Sequence, residues 1–176
     1  MRCALTVNGV AVDADVAHRE LLVDLLRDRL GLTGTKVGCD TAQCGSCVVH
    51  MDGVSVKSCQ VLAVQAAGAA VVTIEGVSDG DDLTDLQDRL WREHGVQCGF
   101  CTPGVVMALD ELLRENPTPG KAEVLASLAG NLCRCTGYNS IVDAVLGLAD
   151  ESRLAEETRE SGAARLVTGA AGSAAK

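Results

Sequence analysis

Apolar residues recur at every second position at the start of the chain, as they do in a strand that buries one face. Residues 3–7 show this pattern, and Asn8-Gly9 follows as a tight turn of the kind that joins antiparallel strands. Val10 and Val12 continue the alternation after the turn. The beginning of the chain therefore predicts a β-hairpin.

The rest of the first half predicts one helix and further short strands. Leucines recur at helical spacing across residues 18–30, whereas residues 34–47 hold several glycines and cysteines and indicate an irregular loop. A second hairpin is predicted at 48–56, with its turn at Asp52-Gly53, and residues 71–74 predict a last strand. These elements together describe a compact α+β unit.

After Gly76 the hydrophobic pattern changes to the period of amphipathic helices. We expect a helix at 83–94 and a second at 102–116, with Pro103 in its first turn. Two more helices are predicted at 121–132 and 141–148. The second unit is therefore predicted to contain helices only.

The change of pattern predicts two domains. They occupy residues 1–76 and 77–150 and are joined by a polar, glycine-containing link at 76–82. From about residue 151 the chain becomes charged and then rich in Gly, Ala and Ser. We therefore expect residues 151–176 to form a disordered tail or a strap over a partner.

The composition favours a cytoplasmic protein. The formal net charge of -9 argues against nucleic acid or an anionic membrane surface as a partner. The sequence has neither the apolar stretch that spans a bilayer nor the pattern of a secretion signal. Nine cysteines without such a signal indicate thiols that bind metal in a reducing compartment, although a disulfide framework is the competing interpretation.

Eight of the nine cysteines fall into two sets of four. The first set comprises Cys39, Cys44, Cys47 and Cys59. Four thiolates are what a [2Fe–2S] cluster needs, and the spacing of the first three is the plant-type ferredoxin pattern. Neighbouring glycines allow the loop to aim backbone N–H groups at a cluster. Structural zinc remains open, although zinc sites more often use two Cys-x2-Cys pairs or histidine.

The second set is less specific by spacing alone. It comprises Cys98, Cys101, Cys133 and Cys135, which flank predicted helices. The N-terminal end of the helix after Cys101 favours thiolates or a cluster. A [2Fe–2S] cluster, a zinc site and two separate pairs are all compatible with this set, whereas a thioredoxin-type pair would need a βαβ context.

The remaining candidates indicate no chemistry. Cys3 is interpreted as a buried apolar residue of the first strand. The histidines His18, His50 and His94 are scattered, and we predict that they lie at the surface or at helix ends rather than bind metal.

The two cysteine motifs resemble those of the molybdenum hydroxylase family. Residues 36–47 (KVGCDTAQCGSC) and 56–59 (VKSC) resemble its ferredoxin-like domain. Residues 97–104 (QCGFCTPG) and 131–138 (NLCRCTGY) are similar to its second cluster domain. The resemblance covers about residues 2–150 in a single register.

This resemblance implies a fold and two cofactor sites. The N-terminal unit would be a β-grasp, plant-type ferredoxin-like domain whose cluster faces a flavin subunit. The C-terminal unit would be an all-α four-helix bundle whose cluster lies next to the molybdenum cofactor. Each set of four cysteines would hold one [2Fe–2S] cluster. Gln97 matches the family glutamine that hydrogen-bonds the pterin, and Cys135 matches the cluster ligand closest to it.

The resemblance also implies a function. The chain would be the electron-transfer subunit of a heterotrimeric oxidoreductase, relaying electrons from molybdopterin on a large subunit to FAD on a medium subunit, in a dimer of heterotrimers. It would itself hold no substrate site. Residues 38–41 and 52–59 look most like carbon-monoxide dehydrogenase small chains, while N-heterocycle and aldehyde hydroxylases share the same role. A free-standing ferredoxin carrier and a zinc-stabilised interaction module are the remaining alternatives.

Overall fold

A mixed five-stranded sheet forms the first part of the molecule. The computed structural model describes residues 1–78, 80 and 82–170, with side chains as far as residue 155. The sheet has the order β2-β1-β5-β3-β4, in which β1 and β5 are parallel and the other neighbours are antiparallel. The strands are β1 Arg2–Val7, β2 Val10–Asp15, β3 Val48–Met51, β4 Val54–Lys57 and β5 Ala70–Val72.

Both predicted hairpins are confirmed, together with their turns. Asn8 and Gly9 have φ values of 49° and 78°, and Asp52 and Gly53 have φ values of 53° and 87°. Positive φ at both central residues is the primed turn that matches the twist of the flanking strands. The apolar residues of β1 are buried in the core of this unit, as their alternation predicted.

The helix predicted for residues 18–30 is much shorter in the structure. Helix α1 spans Leu22–Asp24 and continues as one π-helical turn, Leu25–Arg29. The chain before it is extended because the Leu22 N–H donates to the Val61 carbonyl at 2.7 Å. The leucine pattern therefore identified the buried face correctly, but a long-range backbone contact replaces the first predicted turns.

Four helices follow in the described part of the chain. Their starts agree with the sequence pattern more closely than their ends. Helix α4 stops before the predicted end at 132, because residues 129–135 form the loop that carries two of the cysteines. The helices are α2 Asp85–Arg92, α3 Thr102–Glu115, α4 Lys121–Leu128 and α5 Asn139–Ala170.

Helix α5 extends far beyond its predicted end at Leu148. It continues to Ala170, so residues 151–170 are helical in the structure, and the alternative of a strap over a partner stays a prediction. Arg89 of α2 forms an ion pair with Glu151, which attaches the continuation of α5 to the helical unit. Residues 171–176 of the predicted tail, like Asp79 and Asp81 of the predicted link, lie outside the described residues.

The sheet and the helices have separate apolar cores that meet along α3. One core lies between the sheet and α1, and the other lies among α2 to α5. Helix α3 also packs against β3 and β4, where its Glu111 carboxylate accepts the Ser55 N–H at 3.0 Å. Among the described helices, none has both the length and the apolar character that crossing a bilayer requires.

His50 lies in this contact between the two units. It is only 4% exposed, so the prediction that it lies at the surface or at a helix end is wrong. Its Nε2 lies 2.8 Å from the Met107 carbonyl, which fixes Nε2 as the donor, and its Nδ1 lies 3.2 Å from the Arg114 guanidinium. His18 and His94 are exposed, as predicted.

Candidate metal centres

The first cysteine set lies at one end of the hairpin formed by β3 and β4. Cys47 precedes β3 and Cys59 follows β4, and the antiparallel register that aligns Val48 with Lys57 brings them to the same end. The Ser58 hydroxyl donates to the Cys47 carbonyl at 2.7 Å. Both cysteines are buried, which raises the pKa of Cys47 to about 11.

Cys39 and Cys44 form the outer half of this set. Cys39 Sγ accepts the Thr41 N–H at 3.4 Å and the Cys44 N–H at 3.3 Å. The Thr41 side chain and these backbone donors lower the pKa of Cys39 to about 6. Asp40 and Ala42 adopt positive φ in this loop, which turns its amides toward the sulfur. Such donors stabilise a thiolate, and they would equally stabilise a negatively charged cluster.

The second set is assembled by two loops of the helical unit. Cys98 and Cys101 precede α3, while Cys133 and Cys135 lie between α4 and α5. Cys98 Sγ and Cys135 Sγ are 3.5 Å apart, and the thiols of Cys101 and Cys133 also interact. The structure therefore brings all four predicted members of this set together.

Hydrogen bonds and burial give the four thiols of the second set different pKa values. The Phe100 backbone N–H lowers the pKa of Cys98, and the interaction with Cys98 raises the pKa of Cys135. Burial raises the pKa of Cys101 to about 12. Burial alone would raise the pKa of Cys133. The pKa is nevertheless lowered, because hydrogen bonds that include the Thr136 hydroxyl, 3.1 Å from the sulfur, outweigh burial.

The sulfurs of the second set lie in twos, and Cys47 of the first set lies beside Cys59. No three His, Cys, Asp or Glu side chains converge as the ligands of one metal ion would in the part of the chain that the structure describes. Tetrahedral zinc needs four ligands around one ion. The two irons of a [2Fe–2S] cluster share four thiolates, two to each iron. The placement of thiols in twos fits a diiron cluster.

A cavity of about 220 Å³ lies between the two sets. It is lined by Cys44 of the first set and by Cys98, Cys101 and Cys135 of the second.

Direct hydrogen bonds connect the two sets. The Leu132 N–H donates to the Cys44 carbonyl at 2.8 Å, and the Asn131 amide donates to the Gly45 carbonyl at 3.2 Å. Leu132 is the residue before Cys133. A single hydrogen bond therefore joins a residue of the first set to the peptide that leads into the second.

Two cluster-binding domain families match consecutive parts of the chain. Residues 5–70 match the 2Fe-2S iron-sulfur cluster binding domain, and residues 73–146 match the [2Fe-2S] binding domain. Both candidate sites lie within these matches. The chain therefore carries two [2Fe–2S] binding domains.

Relatives of known name cover most of the chain. The nicotine 6-hydroxylase small subunit of Paenarthrobacter nicotinovorans is 52% identical over 144 residues, covering 80% of this chain and 84% of that protein. The caffeine dehydrogenase subunit gamma of Pseudomonas sp. (strain CBB1) is 43% identical, covering 87% and 93%. The crystal structure of quinoline 2-oxidoreductase from Pseudomonas putida 86 has a TM-score of 0.83 and 46% identity, covering 87% of this chain and 96% of that chain.

The chain belongs to the molybdenum hydroxylase family. Its relatives are subunits of oxidoreductases, as the resemblance of its motifs predicted. None of the three relatives named above is a carbon-monoxide dehydrogenase, so the predicted likeness to that class finds no support.

The remaining predicted site residues of this molybdenum hydroxylase subunit take different positions. Gln97 is exposed beside Cys98, and Cys135 is exposed as well, so both are accessible from outside the chain. Cys3 is fully buried in β1, where its thiol donates to the Ala63 carbonyl at 3.1 Å. Cys3 is therefore separate from both sets, as predicted.

Sequence reasoning assigned no roles to several residues that organise the sites. Thr136 and Tyr138 lie within the second cysteine motif, which gave them no role of their own. In the structure, the Thr136 hydroxyl donates to Cys133 Sγ, and the Tyr138 hydroxyl donates to the Asn131 carbonyl. Lys57 donates to the Ala42 carbonyl at 2.6 Å and so supports the first loop. Their position next to the cysteines in sequence was the only available signal, because these contacts depend on the fold.

Proposed function

We propose that this chain is the electron-transfer subunit of a molybdenum hydroxylase, relaying electrons from a molybdopterin site on a large subunit to FAD on a medium subunit through two [2Fe–2S] clusters. The observation that carries the proposal is the pair of adjoining four-cysteine sites, joined by the bond between Leu132 and Cys44. A carrier with one cluster would need neither the second site nor this junction.

The proposed ligands are the eight cysteines of the two sets. Cys47 and Cys59, which lie side by side, would hold one iron of the first cluster, and Cys39 with Cys44 would hold the other. Cys98 with Cys135, and Cys101 with Cys133, would hold those of the second. The surrounding backbone N–H groups and the Thr136 hydroxyl stabilise negative charge at the sulfurs, and the buried position of Cys47 and Cys59 limits the access of water.

The exposure of the second site supports a specific orientation in the complex. Cys98, Cys135 and Gln97 are accessible, and Phe100 and Leu132 nearby are 48% and 59% exposed. Exposed apolar residues around a redox site favour a protein partner. We assign this face to the large subunit, with Gln97 and Cys135 closest to the pterin, and the first site to the flavin subunit, within a dimer of heterotrimers in the cytoplasm.

The finer description of the fold belongs to the same proposal. We assign residues 1–76 to a β-grasp ferredoxin-like domain and residues 77–150 to a four-helix bundle. The mixed sheet and the four described helices support these assignments.

The names of the relatives favour a nitrogen heterocycle as the substrate of the complete enzyme. Nicotine, caffeine and quinoline all contain a nitrogen-bearing ring, whereas carbon monoxide occurs in none of these names. We therefore replace carbon monoxide by an N-heterocycle as the proposed substrate class. Turnover of carbon monoxide by the assembled enzyme, with no activity toward N-heterocycles, would contradict this choice.

The cluster content of the full chain tests the central proposal. After anaerobic purification, we expect iron and acid-labile sulfide in equal amounts and two distinct [2Fe–2S] signals in the EPR spectrum of the reduced protein. Zinc in place of iron, with no sulfide, would instead identify a zinc-stabilised module.

Replacement of a single cysteine tests the assignment of the first site. Cys59→Ser should remove the EPR signal of one cluster and about half of the iron, because each cluster needs four thiolates. In the assembled enzyme, this variant should lose flavin reduction while substrate oxidation persists for one turnover.

Cys3→Ser is the matched control for this test. Cys3 is equally buried but lies outside both sets, and serine keeps the donor to the Ala63 carbonyl. It should retain both EPR signals. Normal cluster content in Cys59→Ser would show that this residue is not a ligand.

A further inference from the structure

The hydroxyl of Tyr138 organises the loop that precedes the second pair of ligands. It accepts the Cys133 N–H at 2.7 Å and donates to the Asn131 carbonyl at 3.0 Å. One side-chain oxygen thus holds the peptide groups on both sides of Leu132. The ring of Tyr138 packs against the core of the helical unit, which fixes the position of the hydroxyl.

The same loop makes the hydrogen bonds to the first site. Leu132 donates its N–H to the Cys44 carbonyl, and the buried side chain of Asn131 donates to the Gly45 carbonyl. The loop is therefore held from one side by the Tyr138 hydroxyl while its other side contacts the loop of the first set. Any rotation of the Leu132 peptide would break the bond to Cys44.

The backbone of Tyr138 is itself held in an unfavourable conformation. Its φ is 70°, in the left-handed region that a bulky aromatic residue seldom adopts. The Tyr138 N–H donates to Thr136 Oγ1 at 3.1 Å, and its carbonyl accepts the Val142 N–H at 2.9 Å in the first turn of α5. These contacts stabilise a backbone geometry that directs the side chain back toward the loop.

We propose that Tyr138 is a positioning residue that sets the electronic coupling between the two clusters. Its hydroxyl acts through Leu132, whose N–H bridges to Cys44, and it does not act as a ligand. This inference rests on the proposed function, because it requires a cluster at each site. It assigns to Tyr138 a role in communication between the sites rather than in binding iron.

Tyr138→Phe tests the proposal because it removes the hydroxyl and keeps the ring. The full chain with both clusters is reduced completely, and the magnetic interaction between the clusters is measured by low-temperature EPR. We expect unchanged iron and sulfide, and a smaller exchange splitting, because the Leu132 N–H is no longer held in place on the Cys44 carbonyl. Ser140→Ala is the control, because the Ser140 hydroxyl donates to the His94 carbonyl at 3.2 Å and takes no part in the hydrogen bond between Leu132 and Cys44.

A second variant tests the hydrogen bond between the Leu132 N–H and the Cys44 carbonyl directly. Leu132→Pro removes the N–H that bonds Cys44, at an exposed position outside the helices. It should reduce the splitting as Tyr138→Phe does, and the double variant should show no further loss, because both changes act on one contact. If Tyr138→Phe folds poorly, a full splitting in Leu132→Pro would still overturn the proposal.

The outcomes separate this inference from the proposed function. A wild-type chain without [2Fe–2S] clusters would overturn both. If the wild type carries both clusters and Tyr138→Phe keeps the full splitting, only the inference about Tyr138 fails. Loss of iron from Tyr138→Phe, or additive losses in the double variant, would also overturn it, since the hydroxyl would then act on the ligands directly.

Discussion

Gly45 meets two separate requirements in the loop of the first site. Its φ is 70°, a value that L-residues with a side chain seldom adopt. A Cβ at this position would lie 2.3 Å from the Gly130 carbonyl oxygen, and a Cβ on Gly104 would lie 2.2 Å from the Gly45 carbonyl oxygen. Glycine is therefore needed both for the turn of the loop and for its close contact with the helical unit.

Gly45→Ala should consequently be more damaging than an ordinary turn substitution. We expect the free energy of unfolding to fall by about 3 kcal/mol or more, because backbone atoms must move to admit the methyl group. Gly68→Ala is the matched control. Its φ is 83° but nothing lies within 4 Å of the added Cβ, so only the strain of about 1–2 kcal/mol applies. Denaturant unfolding of both variants measures the difference, and equal losses would contradict the contact argument.

Individual residues also show how far the sequence predicted the site. The spacing of the cysteines predicted two sets of four, and the structure places Cys47 beside Cys59 and Cys98 beside Cys135. The spacing did not predict that Cys47 pairs with Cys59, which follows from the register of β3 and β4. The role of Tyr138 was equally inaccessible, since its hydroxyl reaches residues that only the fold places beside it.

At the scale of elements, α3 joins the two units. Its first turn lies next to Gly45, its middle contacts His50, and Glu111 accepts the N–H of Ser55 on the edge strand β4. The sequence predicted the helix and its proline correctly. It did not predict the contact with the sheet, because the pattern of a single helix does not indicate which second surface it covers.

Glu111 provides a test of this contact. Glu111→Ala should lower the free energy of unfolding by about 1–3 kcal/mol, because the Ser55 N–H loses its acceptor. Glu111→Gln keeps a carbonyl oxygen and should retain most of the stability. Glu115→Ala, at the exposed end of the same helix, is the control and should change little. The contact would be unimportant if all three variants unfolded at the same denaturant concentration.

Boundaries of elements were predicted less well than their existence. Helix α1 starts at Leu22 rather than residue 18 because its backbone pairs with residue 61. Helix α4 ends at Leu128 because the following loop bonds the carbonyls of Cys44 and Gly45. In both cases a long-range contact overrides the local periodicity. In α5, by contrast, local helix propensity extends the helix to Ala170. The charged, alanine-rich segment favours a helix although it has no obvious amphipathic pattern.

For the whole molecule, the two sites form one connected unit. The loop at 131–132 donates hydrogen bonds to the carbonyls of Cys44 and Gly45, so we expect a change at one site to affect the other. Cluster binding contributes to folding because it joins distant segments of the chain. Loss of iron should therefore loosen the contact between the units as well as the loops that hold the ligands.

Iron removal by a chelator under reducing conditions tests this connection. We expect the amide protons of Leu132 and Val105 to exchange with solvent roughly tenfold faster, corresponding to about 1.4 kcal/mol of local stability. The amide of Thr6, which bonds the Ala69 carbonyl within the sheet unit, is the internal reference and should change much less. Hydrogen–deuterium exchange with mass spectrometry measures all three. Equal acceleration at every amide would indicate global unfolding instead.

The uneven burial of the first cysteine set has a consequence for biogenesis. Cys47 and Cys59 pack against Leu21 and Val23 within the sheet unit, whereas Cys39 and Cys44 are partly exposed. A scaffold protein that delivers iron and sulfide would therefore reach the first site from the side of Cys39 and Cys44.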